Sequence, residues 1–179
     1  MAIYNTPAVA ANIAVRVFLT KVGESYLCRS FNTGSGKGKA DWERIRDVVF
    51  EGKCAYCGES GQSLQIEHLL MFRKEYGLHH PGNIVPCCKS CNKRERKEDK
   101  SYTNWLEHLK TVCNRRDEEH YFIDRKQKIE KSMSDEGYPN LDEKKQHAIR
   151  VIANSLYENI KSELTKSLKL YKQLDKAFV

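Results

Sequence analysis

Two Cys-x-x-Cys turns, Cys54-Ala55-Tyr56-Cys57 and Cys88-Lys89-Ser90-Cys91, stand thirty residues apart in a chain of 179. Each turn sets two thiolates about one tetrahedral edge apart, and two such turns complete a sulfur-only zinc site. A redox motif needs one pair beside a βαβ pattern, so the doubled motif favours a metal. Gly58 follows the first turn and Asn92 follows the second. Cys87 adjoins Cys88 and competes with it as ligand, and the regular spacing favours Cys88. Cys28 and Cys113 stand alone and read as buried thiols. Four sulfurs close the coordination sphere, so this Zn²⁺ would hold structure and leave no open position for water. Any chemistry then belongs to the segment clasped between the pairs.

That segment is poor in helical periodicity. Residues 64–70, Leu-Gln-Ile-Glu-His-Leu-Leu, read as a short strand, and 83–86, Asn-Ile-Val-Pro, as a second extended piece after a Pro81-Gly82 turn. Residues 92–97, Asn-Lys-Arg-Glu-Arg-Lys, are polar and helix-compatible. The order is strand, loop, strand, helix, with a cysteine pair at each end of the loop-and-strand unit.

With those residues in view, the chain resembles the HNH nucleases, the ββα-metal endonucleases with a zinc knuckle. The matching stretches are CAYCG, LQIEHLL and HHPGNIVPCCKSCNKR, within residues 54–94. The resemblance implies an endonuclease that hydrolyses DNA phosphodiester bonds, leaving 5′-phosphate and 3′-hydroxyl ends. It assigns His68 as general base and Glu67 as a ligand of the catalytic Mg²⁺ or Mn²⁺. Asn83 takes the place of the central asparagine that braces the loop and orients the base. Asn92 takes the last motif position, a second metal ligand. The family more often has aspartate or histidine where this chain has Glu67. Lys93, Arg94, Arg96 and Lys97, at the start of the expected helix, and Arg73 and Lys74 after the first strand, are the candidate DNA contacts. His79 and His80 fall on the loop between the strands.

The residue types suit that chemistry on their own account. A neutral imidazole can take a proton from water near pH 7. A hard cation prefers carboxylate and carboxamide oxygens, which Glu67 and Asn92 carry. One tension stands: on a regular strand Glu67 and His68 point to opposite faces. Both serve one phosphate only if the strand ends there, bulges, or places the site across its edge.

The flanks must position this unit. Thr6 and Pro7, after Asn5, read as cap and first turn of an apolar helix over 7–22 that ends near Gly23. Residues 32–39, Asn-Thr-Gly-Ser-Gly-Lys-Gly-Lys, read as a flexible loop, since they lack the GxxxxGK[ST] spacing of a phosphate cradle. A helix is expected over 41–50, with Trp42, Ile45, Val48 and Val49 on one face. Tyr102, Trp105, Leu106, Leu109 and Val112 have helical spacing, a further helix is expected over 118–133, and 134–140 is a break at Gly137 and Pro139. Beyond it Ile149, Ile152, Leu156, Ile160, Leu164, Leu168, Tyr171 and Leu174 form one stripe along a long helix. Core packing is the favoured reading of that stripe and a homodimer seam the sharper one.

Composition bounds the rest. With 40% hydrophobic residues a core is affordable, and with 31% charged residues no uncharged run can span a bilayer. Seven cysteines, an odd count, argue against a secreted disulfide scaffold. No Lys or Arg precedes the apolar residues 8–15, so no export signal is read and a cytoplasmic, thiol-reducing setting is expected. The net charge of +7 fits a polyanionic partner, here expected to be duplex DNA, which two active sites of a homodimer would cut on both strands. The reading is α+β: an N-terminal helical region (1–50), a zinc-stabilised ββα-metal core (51–100) and a C-terminal helical region (101–179). Restriction or defence is the role that analogy suggests. The alternatives are a zinc-dependent nucleic-acid-binding module without catalysis, or the nuclease subunit of a larger complex.

Overall fold

A computed structural model of the chain describes residues 6–61, 63–72 and 75–178. Its elements in order are α1 (Pro7–Leu27), α2 (Gly36–Arg44), a π-helical turn (Ile45–Val49), β1 (Leu64–His68), a 3₁₀ turn (Pro81–Asn83), β2 (Ile84–Cys88), α3 (Trp105–Asn114), a second 3₁₀ turn (Glu119–Tyr121), α4 (Phe122–Asp135) and α5 (Glu143–Ala177). Helices dominate and β1 and β2 form one antiparallel pair, so the molecule is a small two-stranded unit set in a helical frame. No helix among the described residues is long and apolar enough to cross a membrane.

The helix starts follow capping chemistry. Thr6 Oγ1 accepts the Val9 N–H at 3.3 Å with Pro7 in the first turn. Asn5 lies outside the described residues. Asn104 and Glu107 form a reciprocal capping box that starts α3. Asp142 Oδ1 accepts the Lys145 N–H at 2.8 Å and starts α5.

Several elements differ from the sequence reading, each for a packing reason. α1 does not end near Gly23 but continues to Leu27. Gly23 is a contact point: a Cβ there would sit 2.4 Å from the His79 carbonyl oxygen. The 32–39 stretch is not all loop, because α2 begins at Gly36. Gly38 lies where a Cβ would meet the Asn32 backbone at 2.5 Å, so glycine permits a close approach there. The expected 41–50 helix is split: α2 stops at Arg44 and a π turn carries Ile45–Val49. Trp42 of α2 and Ile45 of the turn are buried, while Val48 is 71% exposed.

The largest correction concerns residues 92–97, which are not helical. Arg96 pairs with Tyr102 in an isolated bridge, and Lys97 N–H donates to the Ser101 carbonyl at 2.8 Å. This hairpin stands where the helix was expected, and the next helix is α3. There His108 Nε2 lies 2.7 Å from the Cys91 carbonyl oxygen and docks the helix on the second cysteine turn.

One apolar core joins all three stretches of the chain. Phe31, Trp42, Ile45 and Phe50 pack with Tyr56, Leu69, Ile84 and Val85, and with Leu109, Val112 and Ile129. A second cluster sets Val15 and Leu19 of α1 against Ile149 and Ala153 of α5, with Leu78 of the inter-strand loop between them. Only the first part of the α5 stripe is used in this way. Ile152, Leu164, Leu168, Tyr171 and Leu174 are exposed, as is Leu170 off the stripe, so core packing does not account for the distal half.

This division has a measurable consequence. Leu19 is fully buried, so Leu19→Ala should lower the free energy of urea unfolding by about 2–5 kcal/mol. Leu170 is 56% exposed, so Leu170→Ala should change that energy by no more than about 0.5 kcal/mol.

Candidate nuclease site and its sulfur clasp

The Sγ atoms of Cys54, Cys57, Cys88 and Cys91 all lie within 4.8 Å of one another, and all four residues are buried. Tight turns make this possible. Gly58 N–H donates to the Cys54 carbonyl at 2.8 Å with a left-handed φ of 72°, and Cys91 N–H donates to the Cys88 carbonyl at 3.1 Å. Cys88, not Cys87, supplies the β2 sulfur of the quartet, while Cys87 Sγ lies 3.4 Å from the Cys88 carbonyl oxygen. Of the lone cysteines, Cys113 is buried as expected but Cys28 is exposed.

The electrostatics of the quartet call for a cation. Hydrogen bonds from Cys57, Cys87 and Cys91 hold the Cys54 thiol far below its usual range. The resulting charge pushes Cys57, Cys87 and Cys91 up. A thiolate at Cys54 thus disfavours ionisation of Cys57 and Cys91, and a bound cation would offset that repulsion. Donor type, number and spacing suit Zn²⁺.

Between the cysteine pairs, β1 and β2 run in unbroken register, with Glu67 opposite Val85 and His68 opposite Ile84. There is no bulge, and β1 ends at His68. Glu67 and His68 accordingly face opposite ways, as strand alternation requires. Asn83 binds the end of the strand to the loop that follows. Its Oδ1 accepts the Leu70 N–H at 2.7 Å, and its Nδ2 donates to the carbonyls of Leu70 at 3.0 Å and Leu78 at 2.8 Å. The Asn83 carbonyl accepts the Leu69 N–H at 3.0 Å. One fully buried carboxamide thus satisfies three backbone groups of the loop.

On the His68 side, Nε2 lies 2.9 Å from His79 Nδ1, and the Phe72 ring centre lies 4.3 Å from that of His68. Loss of hydration is the largest cause that lowers the His68 pKa, to about 3, with His79 and Arg16 adding to it. His79 is lowered to about 4, again chiefly by burial. Both rings are neutral at pH 7, so one nitrogen of the contact donates and the other accepts. His80 is also turned inward: its Nδ1 accepts the Gly82 N–H at 3.1 Å, and its ring meets Tyr138 edge-on.

On the Glu67 side, Arg94 is the dominant neighbour. Its Nε donates to Glu67 Oε1 at 2.9 Å, and its Nη2 donates to the carbonyls of His68 at 2.6 Å and Leu69 at 2.9 Å. Nη1 lies 3.6 Å from Glu75 Oε2, and the side chain is only 3% exposed. Arg94 was expected to project toward DNA; it is a brace inside the fold instead. Burial raises the Glu67 pKa, opposed by Arg94. Asn92 Nδ2 donates to Gln65 Oε1 at 2.9 Å. Gln65 is two residues before Glu67, so Asn92 and Glu67 attend the same face of β1.

The structure therefore divides the sequence candidates into two groups. Asn83, His68 and His79 gather at the end of β1, and Glu67, Arg94 and Asn92 lie across the opposite face. Lys93 and Arg96 are exposed; Arg96 stacks on Tyr102 with its guanidinium carbon 5.1 Å from the ring centre. Arg73 and Lys74 lie outside the described residues. Sequence reasoning gave His79 too little weight, although its place eleven residues after His68 on the same loop was a usable signal. No pattern marked Arg94 as the partner of Glu67, because that contact closes across twenty-seven residues.

Metal removal and a carboxamide deletion probe this arrangement. Chelation should unfold residues 54–98 cooperatively by circular dichroism, with one Zn²⁺ per chain in the untreated protein. Cys88→Ser should lose the metal, and Cys87→Ser should keep it. Asn83→Ala strands three backbone groups of the loop and should cost on the order of 2–4 kcal/mol in urea unfolding.

A family model described as HNH endonuclease matches residues 54–98. No curated protein and no solved structure matches the chain. The matched stretch begins at the first cysteine of the quartet and contains both strands, Asn83, Arg94 and the second cysteine turn. Residues 54–98 of this chain match the HNH endonuclease family model, and four cysteines positioned to bind a metal bracket the two strands.

Proposed function

We propose that the chain is a metal-dependent endonuclease that hydrolyses DNA phosphodiester bonds. The observation that carries this reading is His68: an imidazole kept neutral at the end of β1, in hydrogen-bond contact with His79, within the HNH family domain. A neutral ring has a lone pair with which to take a proton from an attacking water. The contact with His79 holds one His68 nitrogen, which orients the ring toward its work. Asn83 acts one step back, by fixing the loop that carries Phe72 and His79.

Glu67 and Asn92, on the face of β1 opposite His68, would hold the catalytic cation, since their carboxylate and carboxamide oxygens are the hard donors that Mg²⁺ or Mn²⁺ prefers; one phosphate would reach both only across the end of the strand at His68. When bound, such an ion supplies Lewis acidity to the phosphate and to the departing 3′ oxygen. Arg94 engages Glu67 through Oε1. Arg94 opposes the effect of burial, which raises the pKa of that carboxyl. Lys93 and Arg96, exposed beside the second cysteine turn, are placed to neutralise flanking phosphates. The products would carry 5′-phosphate and 3′-hydroxyl ends. Two chains joined through the exposed distal half of α5 would cut both strands of a duplex.

A second reading has one observation in its favour. The ion pair of Glu67 with Arg94 also satisfies that carboxylate without any metal, as in a domain that binds nucleic acid and cuts nothing.

The two readings diverge under substitution. Purified chain should nick supercoiled plasmid in Mg²⁺ or Mn²⁺ and not in EDTA. His68→Ala should lower the rate by about 10²–10⁴-fold while retaining DNA affinity and the wild-type melting profile. Glu67→Ala should behave likewise. Undiminished nicking by both variants, or no metal-dependent nicking by the wild type, would reject the enzyme and leave the binder.

A further inference from the structure

The family domain begins at Cys54, yet its candidate base is walled in by a helix from outside it. α1 meets the inter-strand loop at Gly23, where its backbone approaches the His79 carbonyl too closely for any side chain. Seven residues earlier, on the same side of the helix, stands Arg16. Its guanidinium carbon lies 5.4 Å from the centre of the Phe72 ring, which in turn lies 4.3 Å from the ring of His68.

Arg16 is exposed, and among the described residues no carboxylate lies within ion-pair distance of it. The acid nearest along the helix is already engaged. Glu24 Oε2 pairs with Lys21 at 2.6 Å, and its Oε1 accepts the Phe31 N–H at 3.0 Å. Arg16 lines an open groove of about 450 Å³ together with Thr20, Phe31, Asn32 and His79. The groove thus joins an unneutralised guanidinium to the histidine that contacts His68. A planar fork of N–H donors stacked on an aromatic face is suited to phosphate oxygens.

We infer that Arg16 binds a backbone phosphate of the DNA strand presented to His68, and that the groove between α1 and residues 31–32 is the track for that strand. The inference rests on the nuclease reading and adds a substrate contact that the HNH domain does not itself contain. The Phe72 ring holds the guanidinium 5.4 Å from its centre, and the Gly23 contact sets the distance of α1 from the inter-strand loop. The grip is therefore aligned by packing before DNA arrives.

The test measures affinity of the full chain for a short duplex across a salt series, in EDTA so that no cleavage intervenes. Arg16→Ala should weaken binding about fivefold at moderate salt and reduce the slope of log K against log salt by about one. Arg16→Lys should restore the slope with part of the affinity, and Arg16→Gln should not. Because the side chain is exposed, melting temperatures should stay within a degree or two of wild type. In Mg²⁺, plasmid nicking by Arg16→Ala should fall at least as far as the affinity. Wild-type slope and affinity in Arg16→Ala and Arg16→Gln would overturn the inference and leave the nuclease reading standing if nicking persists. A wild-type chain that neither binds nor cuts DNA would overturn both.

Discussion

Four sulfur atoms drawn from opposite ends of a thirty-residue segment must share one small volume, and that requirement shapes the whole domain. The segment has too little apolar material of its own to form a core, and two strands of five residues are marginal as an isolated hairpin. A cation held by those sulfurs would convert that hairpin into a framework with fixed ends. β1 must then finish at His68, the connecting loop must return from there to Asn83, and β2 must deliver Cys88 to the quartet. The position of the candidate base follows from the position of the clasp.

Within this framework two buried side chains take over where regular hydrogen bonding stops. Asn83 supplies the missing partners for the loop at Leu70 and Leu78. Arg94 does the same for the carbonyls of His68 and Leu69 from the other side. Each neutralises polar groups that would otherwise be orphaned under the helical frame. The frame then supplies what a domain of this size lacks. α1 presses on the loop at His79, α3 docks on the second cysteine turn through His108, and α5 backs α1 through Leu19, Ile149 and Ala153.

The sequence was most legible where chemistry imposes spacing. The cysteine pairs, the strand that carries Glu67 and His68 (read as 64–70, found as Leu64–His68) and the asparagines at 83 and 92 follow local rules, and α5 announced itself through its apolar period. It was least legible where a contact joins distant residues. A run of polar residues after Cys91 is compatible with a helix, and nothing in 92–97 states that Arg94 will fold inward. Gly23 and Gly38 read as a helix stop and a flexible loop, because a glycine required by a neighbour's backbone looks the same as one required by a turn. The exposed distal half of α5 was hidden for a related reason. Periodicity shows that a face is apolar, not whether this chain covers it.

The central claim is that water, activated at His68, displaces the 3′ oxygen of a DNA phosphodiester. The chemistry of the cut ends reports on that displacement. Nicked plasmid recovered from the reaction should be sealed directly by DNA ligase, which requires a 5′-phosphate beside a 3′-hydroxyl. Nicks that ligase seals only after phosphate is removed from the 3′ end and added to the 5′ end would show that the opposite bond breaks, and would contradict the account.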